Sequence, residues 1–332
     1  MKKERMAICD NDEKYVYRLQ ELLEQRNTFP FEISVFTGED KIPEGIAGEK
    51  YRLILAGESF YEMIKDKGVR EEQLLLLKSS EEMPQVKEYI WKYQSGDKIR
   101  QQIAERAAER DTGENVFAHG RKKGTLIGIF SPVCREVQSS FALLLGQHLA
   151  KRGSVLYLNF ESFSGLGKML GDTQGRDLTD LVYYMEGGRE RLACKLESMV
   201  GNLNGLDYIS PAFSFVDLSE VKEESWMLLL QTLKEIGNYD HILLDLSENV
   251  HGVLNILREC EKIFTLSHRQ GMAQIQLAQY EELLQKMDYE DILQHTKKCE
   301  LPVFGRLPAS VEELSHSEMS AYVQGVLKEV QM

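Results

Sequence analysis

The chain contains 332 residues, of which 42% are hydrophobic and 28% are charged. This composition is typical of a folded globular protein, and the length is sufficient for two domains with separate cores. The formal net charge of −13 argues against nucleic-acid binding, because that binding depends on Lys and Arg side chains that neutralise phosphates.

The sequence contains no signal for export, membrane insertion or a zinc centre. No apolar run approaches the roughly 20 residues of a membrane-spanning helix, and no secretory h-region follows the first residues. The five cysteines form no CxxC pair, so we expect buried free thiols in a reducing compartment. These features predict a cytoplasmic protein.

Residues 1–106 contain short apolar runs that alternate with helical patterns. Such alternation predicts an α/β domain with a doubly wound parallel sheet. A last helix is expected to begin near Ser95 or Asp97. The expected strands cover residues 5–9, 31–36, 52–56, 73–77 and 89–93.

This order of elements resembles the receiver domain of response regulators, a flavodoxin-like, CheY-like fold. In that family, acids after the first strand bind Mg²⁺, an aspartate ending the third strand accepts phosphate, a Ser or Thr follows the fourth strand, and a Lys ends the fifth. The matching positions are Asp10 and Asp12, Ala56, Ser79 and Lys92.

Ala56 offers no nucleophile, so the phospho-acceptor is absent from this position. The resemblance therefore implies a pseudo-receiver used as a docking surface, with a residual pocket of Asp10, Asp12, Ser79 and Lys92. Two other interpretations stay open. In the first, Asp10 and Asp12 are only solvated loop acids and a helix cap. In the second, the domain is a signalling module that responds to phosphorylation.

Residues 107–123 form the predicted linker, because they are polar and interrupted by glycines. Residues 124–332 then return to an α/β pattern with a mostly parallel sheet. The strands expected there lie within residues 124–130, 155–161, 206–211, 239–246 and 262–266, with a short edge at 302–305.

The turn after the first of these strands occupies the place of a phosphate-binding loop. Such a loop needs glycines that let backbone N–H groups turn toward the anion, and a lysine that reaches the phosphates. Here the turn carries Cys134, Arg135, Glu136 and Val137, and Gln138 replaces the lysine. Glu136 also brings negative charge toward the place of a triphosphate.

Several segments carry a second resemblance: the run Ile129–Val133, the helix Phe141–Ala150, the tripeptide Lys151-Arg152-Gly153 and the strand Tyr239–Asp245. They resemble the MinD/ParA family of deviant Walker ATPases, which have a P-loop NTPase fold. Together with the receiver-like first part, the whole chain resembles the TadZ/CpaE branch. Proteins of that branch are localisation factors for the secretion machinery that builds Flp/Tad pili.

The family's motif, Lys-Gly-Gly-x-Gly-Lys-Thr/Ser, is largely replaced in this chain. Its second lysine falls on Gln138, its Mg²⁺-ligating hydroxyl on Ser139, and the Walker-B aspartate on Asp245. The first lysine, the glycines and the aspartates of the second strand fall on Val133, Cys134, Arg135, Val137, Asn159 and Glu161.

The resemblance thus implies a vestigial nucleotide site, with Ser139 and Asp245 as the metal-ligand candidates. Phosphoryl transfer depends on positioned cations and backbone donors, so we expect negligible hydrolysis, no catalytic residue and no cofactor. The site comprises Cys134, Arg135, Gln138, Ser139, Ser140 and Asp245.

These features favour a non-catalytic scaffold or localisation protein that acts through protein partners of a pilus or secretion assembly. The alternative is a switch ATPase that binds ATP with Mg²⁺ and dimerises on nucleotide, and the resemblance implies a homodimer. We expect no strong direct membrane binding, because Lys328 is the only cation of the C-terminal amphipathic stretch 319–330. Packing on the parent sheet is expected instead.

Overall fold

The computed structural model describes residues 4–24, 31–47, 51–80, 89–109, 123–170, 176–185, 189–236, 239–269, 271–305 and 310–331. The chain divides into two compact units. The first comprises residues 1–119 together with 187–198, and the second comprises residues 120–186 and 199–332. None of the described helices is both long and apolar enough to cross a membrane.

The first unit contains a parallel sheet whose strands alternate with helices along the chain. Within the described residues its strand order is β2-β1-β3-β4-β5, which is the flavodoxin-like order. The predicted doubly wound sheet is therefore confirmed. The elements are β1 (Glu4–Cys9), α1 (Glu13–Glu24), β2 (Phe31–Phe36), β3 (Leu53–Gly57), α2 (Glu58–Asp66), β4 (Leu74–Lys78), β5 (Tyr89–Trp91) and α3 (Gly96–Glu109).

The core of this unit follows from the apolar pattern of its elements. Strands β3 and β4 are buried along their whole length, because helices cover both faces of a parallel sheet. Helix α1 places Val16, Leu19 and Leu23 in the core, at the spacing of one helical face.

The second unit is also α/β. The elements between residues 123 and 331 are given together here, although the helix Arg189–Met199 belongs mainly to the first unit. The strands are β6 (Thr125–Ile129), β7 (Val155–Asn159), β8 (Gly201–Leu203), β9 (Leu206–Tyr208), β10 (His241–Asp245), β11 (Lys262–Ser267) and β12 (Thr296–Glu300). The helices are α4 (Arg135–Ala150), α5 (Leu166–Leu170), α6 (Leu178–Met185), α7 (Arg189–Met199), α8 (Phe215–Glu220), α9 (Glu223–Ile236), α10 (Val253–Arg258), α11 (Met272–Lys286), α12 (Asp291–Gln294), α13 (Val311–Leu314) and α14 (Glu318–Glu329).

The described strands of this unit form one sheet in the order β12-β11-β6-β10-β7-β9-β8. Neighbouring strands are parallel except for β8 and β9, which form an antiparallel hairpin. Asn204 and Gly205 both have positive φ, 52° and 91°, as the tight turn of a hairpin requires. The predicted mostly parallel sheet is confirmed.

One edge of this sheet differs from the prediction. The sequence predicts a short edge at 302–305, whereas the edge strand is β12, which pairs with β11. This strand has no apolar run that would predict it, because it contains two neighbouring lysines, Lys297 and Lys298. Cys299 is its buried residue. Charged side chains are common on edge strands because they discourage pairing with another chain.

The boundaries of the units also differ from the predicted domains. Helix α3 ends at Glu109, three residues into the predicted linker 107–123, and residues 110–122 lie outside the described residues. Residues 187–198 belong to the first unit, although the predicted second domain, 124–332, includes them. No local pattern in the sequence indicates that residues 187–198 belong to the first unit.

Helix α4 lies at the centre of the second unit's core. It is buried against the sheet and against α14, whose Met319, Val323 and Val326 belong to the same hydrophobic cluster. The packing predicted for the C-terminal helix is thus confirmed. Buried free thiols are confirmed at Cys9, Cys134, Cys260 and Cys299, and the Cys194 side chain lies outside the described residues.

Candidate functional site

The strand–turn–helix from β6 to α4 lies beside β10, the strand that ends in Asp245. Strand β10 lies between β6 and β7, and Asp245 pairs in register with Ile129 on one side and Asn159 on the other. The carboxyl ends of these strands therefore bring Asp245 and Asn159 to the start of α4. This is the edge at which α/β sheets of this kind bind ligands.

Gln138 is fully buried on the first turns of α4 and connects the turn to two strand ends. Its Oε1 accepts a hydrogen bond from the Ser131 backbone N–H at 2.7 Å. Its Nε2 lies 2.7 Å from Asp245 Oδ1, 2.9 Å from the Leu246 carbonyl oxygen and 3.0 Å from Glu161 Oε1. A side-chain amide therefore joins the turn, α4 and two strand ends at this point.

Asp245 is also fully buried, and both of its carboxylate oxygens accept hydrogen bonds. Besides the contact of Oδ1 with Gln138, Oδ2 accepts from Ser139 Oγ at 2.6 Å, Tyr157 Oη at 2.7 Å and Asn159 Nδ2 at 2.9 Å. Side-chain groups of the protein thus occupy the positions from which a metal or a metal-bound water would approach this carboxylate.

The turn before α4 uses its own backbone N–H groups internally. Ser131 Oγ accepts hydrogen bonds from the N–H of Val133 at 3.2 Å and of Cys134 at 3.0 Å, and it donates one to the Leu266 carbonyl at 2.7 Å. In a phosphate loop such N–H groups point at the anion. Here they point at a serine side chain.

The remaining predicted site residues lie near this network without all joining it. Cys134 is buried at the N-cap of α4, and its side chain makes no cap hydrogen bond. Ser140 is half-buried on α4, and no described hydrogen bond joins it to Asp245. Arg135 begins α4, and its side chain lies outside the described residues.

Tyr157 and Ser131 are the two members of the network that the sequence does not single out. Burial, together with the neighbouring charge of Asp245, raises the pKa of Tyr157 well above its usual value. The phenol therefore keeps its proton and donates a hydrogen bond to the carboxylate. A tyrosine in an apolar strand is typical of a core residue, and only the register of β7 against β10 reveals its partner.

The described groups of this site do not fit the Mg-nucleotide that the switch alternative requires. A divalent cation needs carboxylate lone pairs and usually retains waters, whereas Asp245 already accepts from surrounding side chains. Among the described residues, no group of three His, Cys, Asp or Glu side chains could hold a metal ion. The geometry stabilises a closed, polar core.

The residual pocket of the first unit has a different composition. Asp10 follows β1 and is buried against Lys92, which follows β5, with Nζ at 3.0 Å from both Asp10 oxygens. Asp12 is more exposed and lies 3.9 Å from the same ammonium group. The structure therefore brings Asp10, Asp12 and Lys92 together as an ion-pair cluster.

Ser79 is bound to a different acid. Ser79 and Ser80 donate side-chain and backbone hydrogen bonds to the Glu58 carboxylate at the start of α2, at 2.7 to 3.2 Å. Partial desolvation acts to raise the pKa of Glu58, but these hydrogen bonds outweigh it and lower that pKa to about 2. Ala56 is fully buried in β3, two residues before Glu58.

No protein-family model matches the sequence, and a search of curated proteins gives no significant match. Among solved structures, the chain is similar to a plasmid partition protein from Borrelia burgdorferi, with 16% identity over 62% of this chain and 97% of that chain, at a TM-score of 0.44. It is also similar to a ParA family ATPase from Chlorobium tepidum, with 18% identity over 62% and 92% of the two chains, at a TM-score of 0.43.

A third similar structure is the MinD cell division protein of Aquifex aeolicus, with 16% identity over 58% of this chain and 78% of that chain, at a TM-score of 0.39.

Proposed function

We propose that this chain is a non-catalytic scaffold or localisation protein, in which a pseudo-receiver is fused to a pseudo-ATPase. It acts through protein contacts in a TadZ/CpaE-like pilus assembly or polar-localisation system. The motifs that resemble the MinD/ParA family support the pseudo-ATPase part of this proposal. Ala56 at the acceptor position supports the pseudo-receiver part.

One observation carries the proposal: the groups that would bind Mg-ATP bind one another instead. Asp245 accepts hydrogen bonds from Gln138 and Ser139. The backbone N–H groups of Val133 and Cys134, in the turn, donate hydrogen bonds to Ser131 Oγ. Nucleotide binding would have to break several buried hydrogen bonds, each of which costs about 1–3 kcal/mol when left unsatisfied.

Exposed aromatic residues at the same sheet edge support a role in protein contacts. Phe163 follows β7 and Phe213 follows β9, and their side chains are 86% and 95% exposed. Phe163 packs on Phe215, with ring centroids 5.6 Å apart. Exposed apolar clusters of this kind are typical of interaction surfaces.

A thermal-shift titration with Mg-ATP tests the proposal against the switch alternative. A ligand at about 100 times its dissociation constant adds about 2.7 kcal/mol of stability, so a binding protein would show a clear rise in Tm. We expect no rise in the unmodified chain.

Two matched variants give the titration its specificity. In a nucleotide switch, Ser139→Ala would abolish the rise in Tm, whereas Ser219→Ala, on α8 and outside the predicted nucleotide site, would retain it. That pattern would contradict the scaffold and support a nucleotide-driven homodimer. The pathway is tested separately by the neighbouring genes, where absence of a secretion ATPase and a prepilin would count against pilus assembly and leave the scaffold role intact.

A further inference from the structure

Helix α7 follows β7 in the sequence, yet residues 187–198 belong to the first compact unit. Its buried face carries two leucines, Leu192 and Leu196, and the acid Glu197, which are 0%, 1% and 1% exposed. A carboxylate buried to this degree needs a charged or hydrogen-bonding partner, because its desolvation is costly.

A cation on α3 of the same unit lies beside Glu197. Arg100 is 2% exposed, and its Nη1 lies 4.0 Å from Glu197 Oε2. The next residue, Gln101, donates a hydrogen bond from Nε2 to the backbone carbonyl of Ser198. Carbonyls in the last turn of a helix lack helical partners, so α3 provides a donor for the end of α7 and a positive charge beside its buried acid.

This pair of contacts also sets the register of α7 on α3. A shift of one helical turn moves a side chain by about 5.4 Å, which would separate the two charges and leave both buried. An apolar face alone would tolerate such a shift far better. The contacts between the helices are therefore specific to one arrangement.

We infer that α3 presents an interaction surface whose occupant is the chain's own α7. Residues 189–198, here called the α7 strap, hold the first unit by non-covalent contacts in addition to the covalent connection through residues 110–122. The strap is therefore expected to bind the first unit even when that connection is cut.

The test is to place a protease site within residues 110–122, cleave the folded full-length chain, and apply the product to size-exclusion chromatography. The two fragments are expected to co-elute. Glu197→Arg places two cations together in a buried position and should weaken the association of the fragments at least about 100-fold. Asp217→Arg makes the same charge change at an exposed position on α8 and should leave the association unchanged.

The exchanged pair, Arg100→Glu with Glu197→Arg, guards against simple misfolding of the single variants. It should recover part of the lost association, as a double-mutant cycle for residues in contact requires. Separation of the fragments of the unmodified chain would overturn the inference. So would co-elution that is unaffected by Glu197→Arg, or additive effects in the exchanged pair.

Discussion

Asp10 and Asp245 lie at the carboxyl edges of their respective sheets, and each is buried, but different chemistry holds them. Asp10 is paired with an ammonium group, Lys92 Nζ. Asp245 accepts hydrogen bonds from neutral amide and hydroxyl groups, among them Gln138 and Tyr157. A cation balances the charge of the first acid, whereas oriented dipoles surround the second.

The difference teaches that a buried carboxylate at the end of a strand can be stabilised in two ways. In the first unit Lys92 forms an ion pair with Asp10. In the second unit the Gln138 amide joins the turn, α4 and two strand ends by hydrogen bonds. The second site is therefore expected to matter more for stability than the first.

The largest expected effect is that of Gln138→Leu. The change leaves the Ser131 N–H, the Leu246 carbonyl and an Asp245 oxygen without this partner, and each such buried group costs about 1–3 kcal/mol. We expect the free energy of unfolding of the second unit to fall by about 4 kcal/mol, measured by urea denaturation. Ser140→Ala, on the same helix, should change it by less than about 0.5 kcal/mol. Equal effects of the two variants would contradict the network.

Lys92→Met tests the ion pair of the first unit. Removing one member of a buried pair leaves an uncompensated charge on Asp10, so we expect a loss of about 3 kcal/mol in the same denaturation experiment. Adding Asp10→Asn to this variant should restore part of the loss, because neither member of this buried pair then carries a charge. A loss larger than that of Gln138→Leu would reverse the proposed ranking of the two sites.

Gly57→Ala is expected to have a smaller effect on the first unit. A Cβ at this position would collide with Asp10 Oδ2, and Lys92 restrains that carboxylate from moving away. We expect a destabilisation of about 1–2 kcal/mol, as in other overpacked sites. The matched control is Gly167→Ala, where an added Cβ has no neighbour within 4 Å. A neutral result at Gly57 would show that the Asp10 carboxylate is free to shift.

The smallest expected effect concerns the pH dependence of the first unit. The folded-state pKa of Glu58 is about 2, below its ordinary value of 4.5. A depressed carboxyl pKa contributes stability above the unfolded-state pKa, and this contribution is lost as the pH falls toward the folded-state pKa. Glu58→Gln should therefore flatten the decline in stability between pH 4.5 and pH 2. If urea denaturation shows the same pH dependence of the unfolding free energy in Glu58→Gln as in the unmodified chain, the role of Ser79 and Ser80 is contradicted.

Much of the second site can be placed from the sequence, because local order brings its parts together. Gln138 and Ser139 follow a strand and a turn, and Asp245 ends an apolar strand, so all three are expected at one sheet edge. Ser131 and Tyr157 escape prediction for physical reasons. Ser131 accepts hydrogen bonds from backbone N–H groups of its own turn. The contact of Tyr157 with Asp245 depends on the register between two strands that are far apart in sequence.

The fold shows the same division between local and non-local information. Apolar runs predict the buried strands, but the lysines of β12 conceal an edge strand that only pairing with β11 defines. The position of α7 is the strongest case. It belongs mainly to the first unit, where Arg100 and Glu197 are buried, and no hydrophobic pattern can predict the burial of two charged residues.

The position of α7 has a consequence for synthesis on the ribosome. The hydrogen bond from Gln101 to Ser198 forms only after another 97 residues have been added to the chain. Chain elongation proceeds at about 5–20 residues per second. The nascent first unit therefore spends roughly 5–20 seconds with this face of α3 uncovered. Chaperones that shield newly made helices would have that interval in which to act.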